Sequence, residues 1–284
     1  MPRKQVAVLT ALAMIAFAGN SLLCRMALLH TGIDAASFTS IRLLSGALVL
    51  WGIVAAKGDQ IGAAGSWTSA LALFAYAAAF SFAYVSLSAA TGALLLFGAV
   101  QTTMIGVGLW KGERFRGRQL AGLALAIGGL FALLLPGLSA PPLHAAALML
   151  GAGFSWGIYS LRGKNAANPI QTTAGNFLRA LPFAAALSMA MFAHRSLDGW
   201  GVVYAVASGA LASGIGYAIW YTALRGLAAT IAATVQLSVP VIAALGGVAL
   251  LGETITARLL FTSIAILGGI WLIAMAPRAS PPVS

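Results

Sequence analysis

The segment Lys111-Gly112-Glu113-Arg114 interrupts an apolar stretch that runs from Ser88 to Leu130. The same arrangement returns 140 residues later, where Leu251-Gly252-Glu253-Thr254 divides a second apolar stretch that ends at Gly268-Gly269-Ile270. Each stretch is long enough for two helices, so each Gly-Glu step is predicted to be the turn of a helical hairpin. The recurrence of one hairpin at two places indicates a duplicated chain.

The overall composition is that of a membrane protein. Of the 284 residues, 61% are hydrophobic and only 7% are charged, whereas soluble domains carry about 25% charged residues. The net charge of +11 does not indicate nucleic-acid binding, because the basic residues lie at the ends of apolar runs and form no separate basic domain. One cysteine, Cys24, excludes an internal disulfide and a multi-thiolate metal site. We expect no metal and no cofactor.

Ten apolar runs have the length of about 20 residues that a membrane-spanning helix needs. The predicted spans are Gln5–Leu28, Ala35–Ala55, Trp67–Leu87, Ala89–Trp110, Gly117–Leu135, Leu143–Leu161, Thr173–Ala193, Gly201–Leu224, Ala228–Leu250 and Ala257–Met275. The first run also resembles a signal peptide, with Ala16-Phe17-Ala18 as a cleavage site. A retained first helix is favoured, because this segment has a counterpart in the second half of the chain.

The loops indicate the orientation of these spans. With the N-terminus in the cytoplasm, eleven Lys and Arg residues lie on the inner side and three on the outer side. This bias favours a cytoplasmic N-terminus and, after ten spans, a cytoplasmic C-terminus. The Pro/Ser-rich tail 277–284 is predicted to be disordered.

The two halves can be aligned residue by residue. At an offset of 140, Gly112-Glu113 meets Gly252-Glu253 and Gly128-Gly129 meets Gly268-Gly269. At an offset of 137, earlier residues match in the same way, and the change of offset falls in one turn near Arg225. The sequence therefore predicts two repeats, 1–137 and 138–276. Since each has five spans, the repeats should have opposite orientations, with a site between them.

The acidic residues are few and lie outside the predicted membrane core. The five are Asp34, Asp59, Glu113, Asp198 and Glu253. Proton- or sodium-coupled carriers usually place a carboxylate within the membrane. Their positions argue against a buried carboxylate relay. For Glu113 and Glu253 we prefer a structural role, in which each begins a helix at the turn where a glycine ended the previous one.

Two arginines, Arg42 and Arg179, lie well inside predicted spans and are equivalent in the two repeats. A charged group at this depth should face a cavity or a partner. Two interpretations stay open, which are an anion contact and a structural bond to backbone carbonyls or neighbouring polar side chains. Pro240, in the middle of span nine, predicts a kink or hinge, and its repeat counterpart is Val100.

Aromatic stripes recur on equivalent spans, and buried amides lie in spans one, four, seven and nine; these side chains are the candidates for contact with a solute. Packing or a position at the membrane interface is the alternative for the rings, and helix association is the alternative for the amides. The aromatic candidates are Tyr76, Phe80 and Tyr84 in span three, Trp156 and Tyr159 in span six, and Tyr217 and Tyr221 in span eight. The amide candidates are Asn20, Asn176, Gln101 and Gln236.

The ordered set of Phe38–Arg42, the two Gly-Glu turns, Val239-Pro240 and the two Gly-Gly pairs resembles the EamA family of the drug/metabolite transporter superfamily. Within it, the chain looks most like the YddG-type exporters of aromatic and other amino acids. The resemblance implies a central cavity between the halves, peripheral fifth and tenth helices, and export across a bacterial inner membrane. One departure is Val100-Gln101, where many relatives carry a proline.

These features favour an all-α carrier that exports aromatic and other neutral amino acids by alternating access, acting as a monomer in the lipid bilayer. A multidrug or other small-metabolite exporter on the same fold is the alternative. A membrane enzyme would need acids or histidines clustered at one membrane face, which the sequence lacks. A receptor or assembly subunit without transport activity stays open at this point.

Overall fold

The computed structural model describes residues 1–59, 64–110, 117–137, 140–163, 166–227, 232 and 235–275. Ten helices form this part of the chain, in the order that the sequence predicts. They are α1 (Arg3–His30), α2 (Ala35–Ala56), α3 (Trp67–Tyr84), α4 (Ala89–Trp110), α5 (Gly117–Leu134), α6 (Leu143–Gly163), α7 (Pro169–Ala190), α8 (Gly199–Leu224), α9 (Ser238–Leu251) and α10 (Ala257–Ala274). The ten-helix, all-α fold class is confirmed. The turn with Glu113, most of the first part of span nine, and the tail 277–284 lie outside the described residues.

The helices have the length and the surface of membrane spans. Six of those described, α1 to α5 and α8, are long and apolar enough to cross a membrane, and α9 and α10 are shorter apolar helices. Large apolar side chains point outward, such as Trp110 and Phe131, which are 88% and 69% exposed. Such an apolar exterior is stable only against lipid, so the chain is a multi-pass membrane protein.

Short polar side chains begin several helices. The carboxylate of Asp34 accepts hydrogen bonds from the N–H groups of Ala36 and Ser37, both at 2.9 Å, at the start of α2. Asp198 accepts from Gly201 at the start of α8, and Thr256 accepts from Leu259 at the start of α10. These contacts satisfy N–H groups that have no partner inside their own helix. The two aspartates therefore have a structural use at the membrane boundary.

The packing of the helices has an internal symmetry. α2 packs against α7, α4 against α9 and α5 against α10, while α1 packs against α8 and α9 as α6 packs against α3 and α4. Exchanging each helix for the one five places along the chain maps this set of contacts onto itself. Two five-helix repeats related by a pseudo-two-fold axis are expected to pack in this way. The repeat boundaries at 1–137 and 138–276 stay a prediction.

Two glycines let α5 and α10 pack closely. A Cβ atom added at Gly269 would lie 2.5 Å from the carbonyl oxygen of Gly122, and one at Gly129 would lie 2.9 Å from the Cβ atom of Ala265. Gly128 and Gly268, their chain neighbours, have open space instead. The second glycine of each Gly-Gly pair thus forms the helix contact. Because α5 and α10 pack mainly on each other, they form a peripheral pair.

We expect Gly269→Ala to lower the midpoint of thermal unfolding in detergent, because the new methyl group meets the α5 backbone. Overpacking of this kind costs about 1–3 kcal/mol. Gly268→Ala is the matched control, since a methyl group there meets no neighbour. Equal midpoints for the two variants would contradict the close packing.

A polar contact joins the start of α2 to the connection between α7 and α8. Besides capping α2, the Asp34 carboxylate accepts a 2.9 Å hydrogen bond from the N–H of Ser196, and the Asp34 N–H donates to the Ser196 carbonyl oxygen at 3.1 Å. Partial burial raises the pKa of the Asp34 carboxyl. Hydrogen bonds from Ser37, Ser196 and Ala36 lower that pKa by more, so the net pKa lies below its ordinary value of 3.8.

A lowered pKa in the folded state stabilises the protein at pH values above the unfolded pKa, and this contribution is lost as the pH falls through the folded pKa. We therefore expect Asp34→Asn to lower the unfolding midpoint at neutral pH. Its difference from the wild type should shrink once the pH falls below 3.8. Asp59→Asn, at an exposed loop position, is the matched control. A difference that does not depend on pH would contradict the proposed role of the charge.

Candidate functional site

A small cavity lies at the centre of the bundle, where helices of both halves meet. Its volume is about 20 Å³, room for a single water molecule and not for a metabolite. It is lined by Phe17, Asn20, Tyr76, Phe80, Leu96, Phe97, Trp156, Ala212 and Tyr217. A solute can enter only if these side chains separate, so the structure shows a contracted site.

Trp156 on α6 joins the aromatic side chains of the two halves. Its ring centroid lies 4.8 Å from that of Tyr76 on α3 and 5.0 Å from that of Tyr217 on α8. On its other side it stacks on Tyr159 at 5.3 Å. Phe80 extends the cluster along α3, with its centroid 5.4 Å from that of Tyr76. Aromatic pairs of this kind contribute about 0.5–1.5 kcal/mol each beyond area burial, so the cluster holds the centre together.

The polar side of the cavity is a short network around the Tyr76 hydroxyl. The Asn20 amide nitrogen donates to this oxygen at 3.1 Å, and the Arg42 Nη2 donates to it at 2.9 Å. The Ser208 hydroxyl donates to the Asn20 amide oxygen at 2.6 Å. The network links α1, α2, α3 and α8, and it places a positive charge next to the aromatic lining.

Arg42 is buried in the middle of the bundle, with 2% of its surface exposed. Its guanidinium carbon lies 4.8 Å from the centroid of Phe80 and 5.1 Å from that of Tyr76. Its Nε reaches the Ser213 hydroxyl only at 3.4 Å. Contacts with ring faces and with the tyrosine hydroxyl partly offset the cost of keeping this charge away from water.

A π-helical segment, Ser208–Ile215, lies within α8 and supplies both serines of the network. The two serines are five residues apart, which is the hydrogen-bonding interval of a π-helix. A Cβ atom at Gly209 would collide with the backbone of Arg42, so α8 approaches α2 closely here. The wide turn therefore positions Ser208 at Asn20 and Ser213 at Arg42.

Three of the aromatic candidates lie away from the cavity lining. Tyr84 packs its ring on Phe80 at 4.7 Å and donates weakly to the carbonyl oxygen of Ala89 at 3.4 Å, near the end of α3. Tyr159 stacks behind Trp156 and is almost fully buried. Tyr221 lines a second cavity of about 220 Å³. Each of the three lies one helical turn after a residue that does line the cavity, on the same face of its helix.

That second cavity lies at one end of the bundle, where α2 ends, α7 begins and α8 ends. It is lined by Lys57, Asn168, Pro169, Ile170, Tyr221, Thr222 and Arg225. By the predicted orientation this is the cytoplasmic end, here called the inner end. The inner end is therefore more open than the centre of the bundle.

The amide candidates also divide. Asn20 lines the cavity, whereas Asn176 accepts a 2.8 Å hydrogen bond from the N–H of Ser66. Gln101 is buried on α4, one turn beyond Phe97, and its amide nitrogen has no hydrogen-bond partner in the described part of the chain. Gln236 donates to the backbone oxygen of Ala232 at 3.2 Å. Only Asn20 is thus placed to meet a solute in this conformation.

The two equivalent arginines have different surroundings. The Nη1 of Arg179 donates to the backbone oxygens of Ala64 and Gly175, at 2.5 and 3.1 Å, so this arginine makes the structural bond that was one of the two interpretations. Arg42 lies against the cavity lining instead. Pro240 is in the first turn of α9, three residues after a break at Leu237, whereas α4 runs unbroken through Val100. A hinge at Pro240 stays a prediction.

Glu253 makes a contact different from the one the sequence suggested. Gly252 ends α9 in a left-handed conformation with φ of 63°, but α10 begins only at Ala257. Glu253 instead accepts from the N–H of Ala89 at 2.8 Å, at the start of α4, and pairs with Arg25 at 3.2 Å. The expectation that Glu253 begins its own helix was wrong. The side chain of Thr256, three residues later, caps α10 instead.

Sequence reasoning did not select several residues of the site. Phe17 and Phe97 line the cavity, each a single turn before the amides Asn20 and Gln101, so the neighbourhood of those amides was the available signal. Ser208 and Ser213 gave no signal, because small residues are common throughout these spans. In the described part of the chain, no three His, Cys, Asp or Glu residues lie close enough to hold a metal ion.

Comparison with known proteins assigns the family. The model of the EamA-like transporter family matches residues 143–275. "Uncharacterized protein PA1977" of Pseudomonas aeruginosa is 58% identical over 279 residues, covering 98% of this chain and 97% of the relative. The chain belongs to the EamA-like transporter family. This EamA-like protein is therefore a membrane transporter of a small molecule and not an enzyme, and its bacterial relative agrees with a location in the inner membrane.

A solved crystal structure of another protein has the same fold. It superposes with a TM-score of 0.66 and covers 94% of this chain and 96% of that chain. The two sequences are only 16% identical, so this likeness concerns the fold of the EamA-like transporter and says nothing about its solute.

Proposed function

We propose that this EamA-like transporter exports aromatic and other neutral amino acids by alternating access through the central cavity. The carrying observation is the lining itself, which combines aromatic rings from both halves with the polar network of Asn20 and Tyr76. The rings would hold the apolar part of the solute, and the network would meet its polar groups. The resemblance to exporters of aromatic amino acids supports the same solute class.

The contracted cavity fits a carrier that changes shape around its solute. Trp156 of the second half contacts Tyr76 of the first half, so separating the halves opens the site between these two rings. Two similar halves can pack in two nearly equivalent ways, each open to one side of the membrane. We infer that the protein works as a monomer, because one chain supplies both halves.

The coupling we propose is movement down the solute's own gradient. Where the structure describes them, the acidic side chains lie at helix ends or in loops and none lines the cavity. A buried-carboxylate proton relay has no candidate among them.

A multidrug or other small-metabolite exporter is the second candidate function, because aromatic cavities also bind cationic drugs. The charge of Arg42, which lies against two lining rings, opposes a cation in this cavity. The amino acid is therefore the better-supported solute.

Reconstitution into liposomes tests the proposal through counterflow of a panel of labelled amino acids, with and without a pH gradient. We expect counterflow of aromatic amino acids without a gradient. Absence of counterflow for every amino acid by a thermally stable sample would contradict amino-acid transport. A strict requirement for the gradient would contradict the proposed coupling.

Trp156→Ala should reduce this counterflow at least about tenfold, equivalent to about 1.4 kcal/mol, because it removes the ring that joins the two halves of the site. Trp200→Ala is the matched control, since Trp200 also lies in a second-half helix but is 68% exposed and does not line the cavity. Equal losses of counterflow in the two variants would indicate that Trp156 acts only in helix packing.

A further inference from the structure

The Arg42 guanidinium keeps unused hydrogen-bond donors in the membrane interior. A guanidinium has five N–H groups, spread over Nε, Nη1 and Nη2. Nη2 donates to the Tyr76 hydroxyl and Nε makes a long contact with Ser213. Nη1 is buried and has no hydrogen-bond partner among the described residues. Buried donors are nearly always paired, so this nitrogen requires an explanation.

The charge of Arg42 also lacks an anionic partner in the part of the chain that the structure describes. Glu253, Asp34 and Asp198 are each engaged at a helix end, and Asp59 is exposed in a loop. The rings of Tyr76 and Phe80 face the guanidinium but carry no charge. The potential around the cavity is therefore positive, and an anionic group would be stabilised there.

The equivalent arginine of the other half, Arg179, does not have an unpaired Nη1. Arg179 directs its Nη1 at two backbone carbonyl oxygens, those of Ala64 and Gly175. The repeat thus contains one arginine that is committed to the fold and one whose Nη1 is not. Only the second lies against the rings that line the central cavity.

We propose that Arg42 is the anion-binding group of the central cavity, and that the solutes of this transporter are amphipathic monocarboxylates recognised through their carboxylate. This inference rests on the proposed function, in which the central cavity carries the solute. A carboxylate can take both Nη1 and Nη2 of one guanidinium, which makes a charge-assisted pair of hydrogen bonds. Opening of the ring layer around Tyr76 and Phe80 exposes these donors.

No side chain of the described lining is placed to bind the amino group of the solute. In the described lining no carboxylate faces the space, and the Asn20 oxygen already accepts from Ser208. An ammonium group would meet the like charge of Arg42 without compensation. Carboxylates with an aromatic or apolar body should therefore bind with or without an α-amino group, whereas amines without a carboxylate should not.

Four probes of similar size separate the two groups: L-phenylalanine, 3-phenylpropionate, L-phenylalaninamide and phenethylamine. Binding is measured as ligand-induced thermal stabilisation of the intact protein in detergent. We expect the first two to raise the unfolding midpoint and the last two to leave it unchanged. Stabilisation by the amide or the amine equal to that by the carboxylates would overturn the proposal, and so would the absence of any response.

Transport is measured separately, so that the two proposals can fail independently. In liposomes, 3-phenylpropionate should compete with L-phenylalanine counterflow and phenethylamine should not. Competition by the amine would overturn carboxylate recognition while amino-acid transport stands. Counterflow absent for all amino acids, with stabilisation by carboxylates in detergent, would contradict the proposed function and leave Arg42 as an anion-binding group.

Arg42→Gln should weaken binding of 3-phenylpropionate at least tenfold and should remove the rejection of phenethylamine, which a merely structural role would not do. Arg42→Lys keeps the charge and should keep the preference for carboxylates. Arg179→Gln is the matched control and should leave the preference unchanged. If Arg42→Gln does not fold, the four-probe comparison on the wild type still tests whether the carboxylate of the solute is recognised.

Discussion

A guanidinium buried in the membrane interior is the constraint around which the centre of this protein is arranged. The charge of Arg42 is held by the Tyr76 hydroxyl, by two aromatic faces and by a serine from a π-helical turn. Those partners come from α3 and α8, and Arg42 itself lies on α2, so the charge ties helices of both halves to one point. Without them, a charge at this depth would cost several kcal/mol. The aromatic cluster therefore serves packing and electrostatics together.

Charged groups are rare elsewhere in the described interior, because each would need partners of the kind that Arg42 has. Apolar side chains face outward to lipid, and the described interior contains small residues that let helices approach, as Gly129 and Gly269 do between α5 and α10. Asp34 and Asp198 lie at helix starts, where they satisfy backbone N–H groups.

The helical spans, their number and their order were predictable from hydrophobic length, because about 20 apolar residues are required to cross a bilayer. Of the predicted residues that line the cavity, Tyr76, Phe80 and Tyr217 were selected by helical spacing and by comparison of the halves, Asn20 as a buried amide, and Trp156 as an aromatic residue of span six. Spacing identifies a helix face but not where along that face a cavity ends, so Tyr84, Tyr159 and Tyr221 were included as well. Neither the π-helical segment nor the destination of Glu253 has a local signal, since both depend on how distant helices pack.

The Arg25–Glu253 ion pair has a consequence for the opening of the transporter. It joins the two halves near the ends of α1, α3 and α9, and each side chain is only 12% exposed, so salt screens it little. By the predicted orientation, this contact lies at the outer end of the bundle, while the larger cavity lies at the inner end. Any movement that parts the two halves at the outer end must break this ion pair, which is largely shielded from water. The pair therefore adds to the free-energy cost of opening at that end.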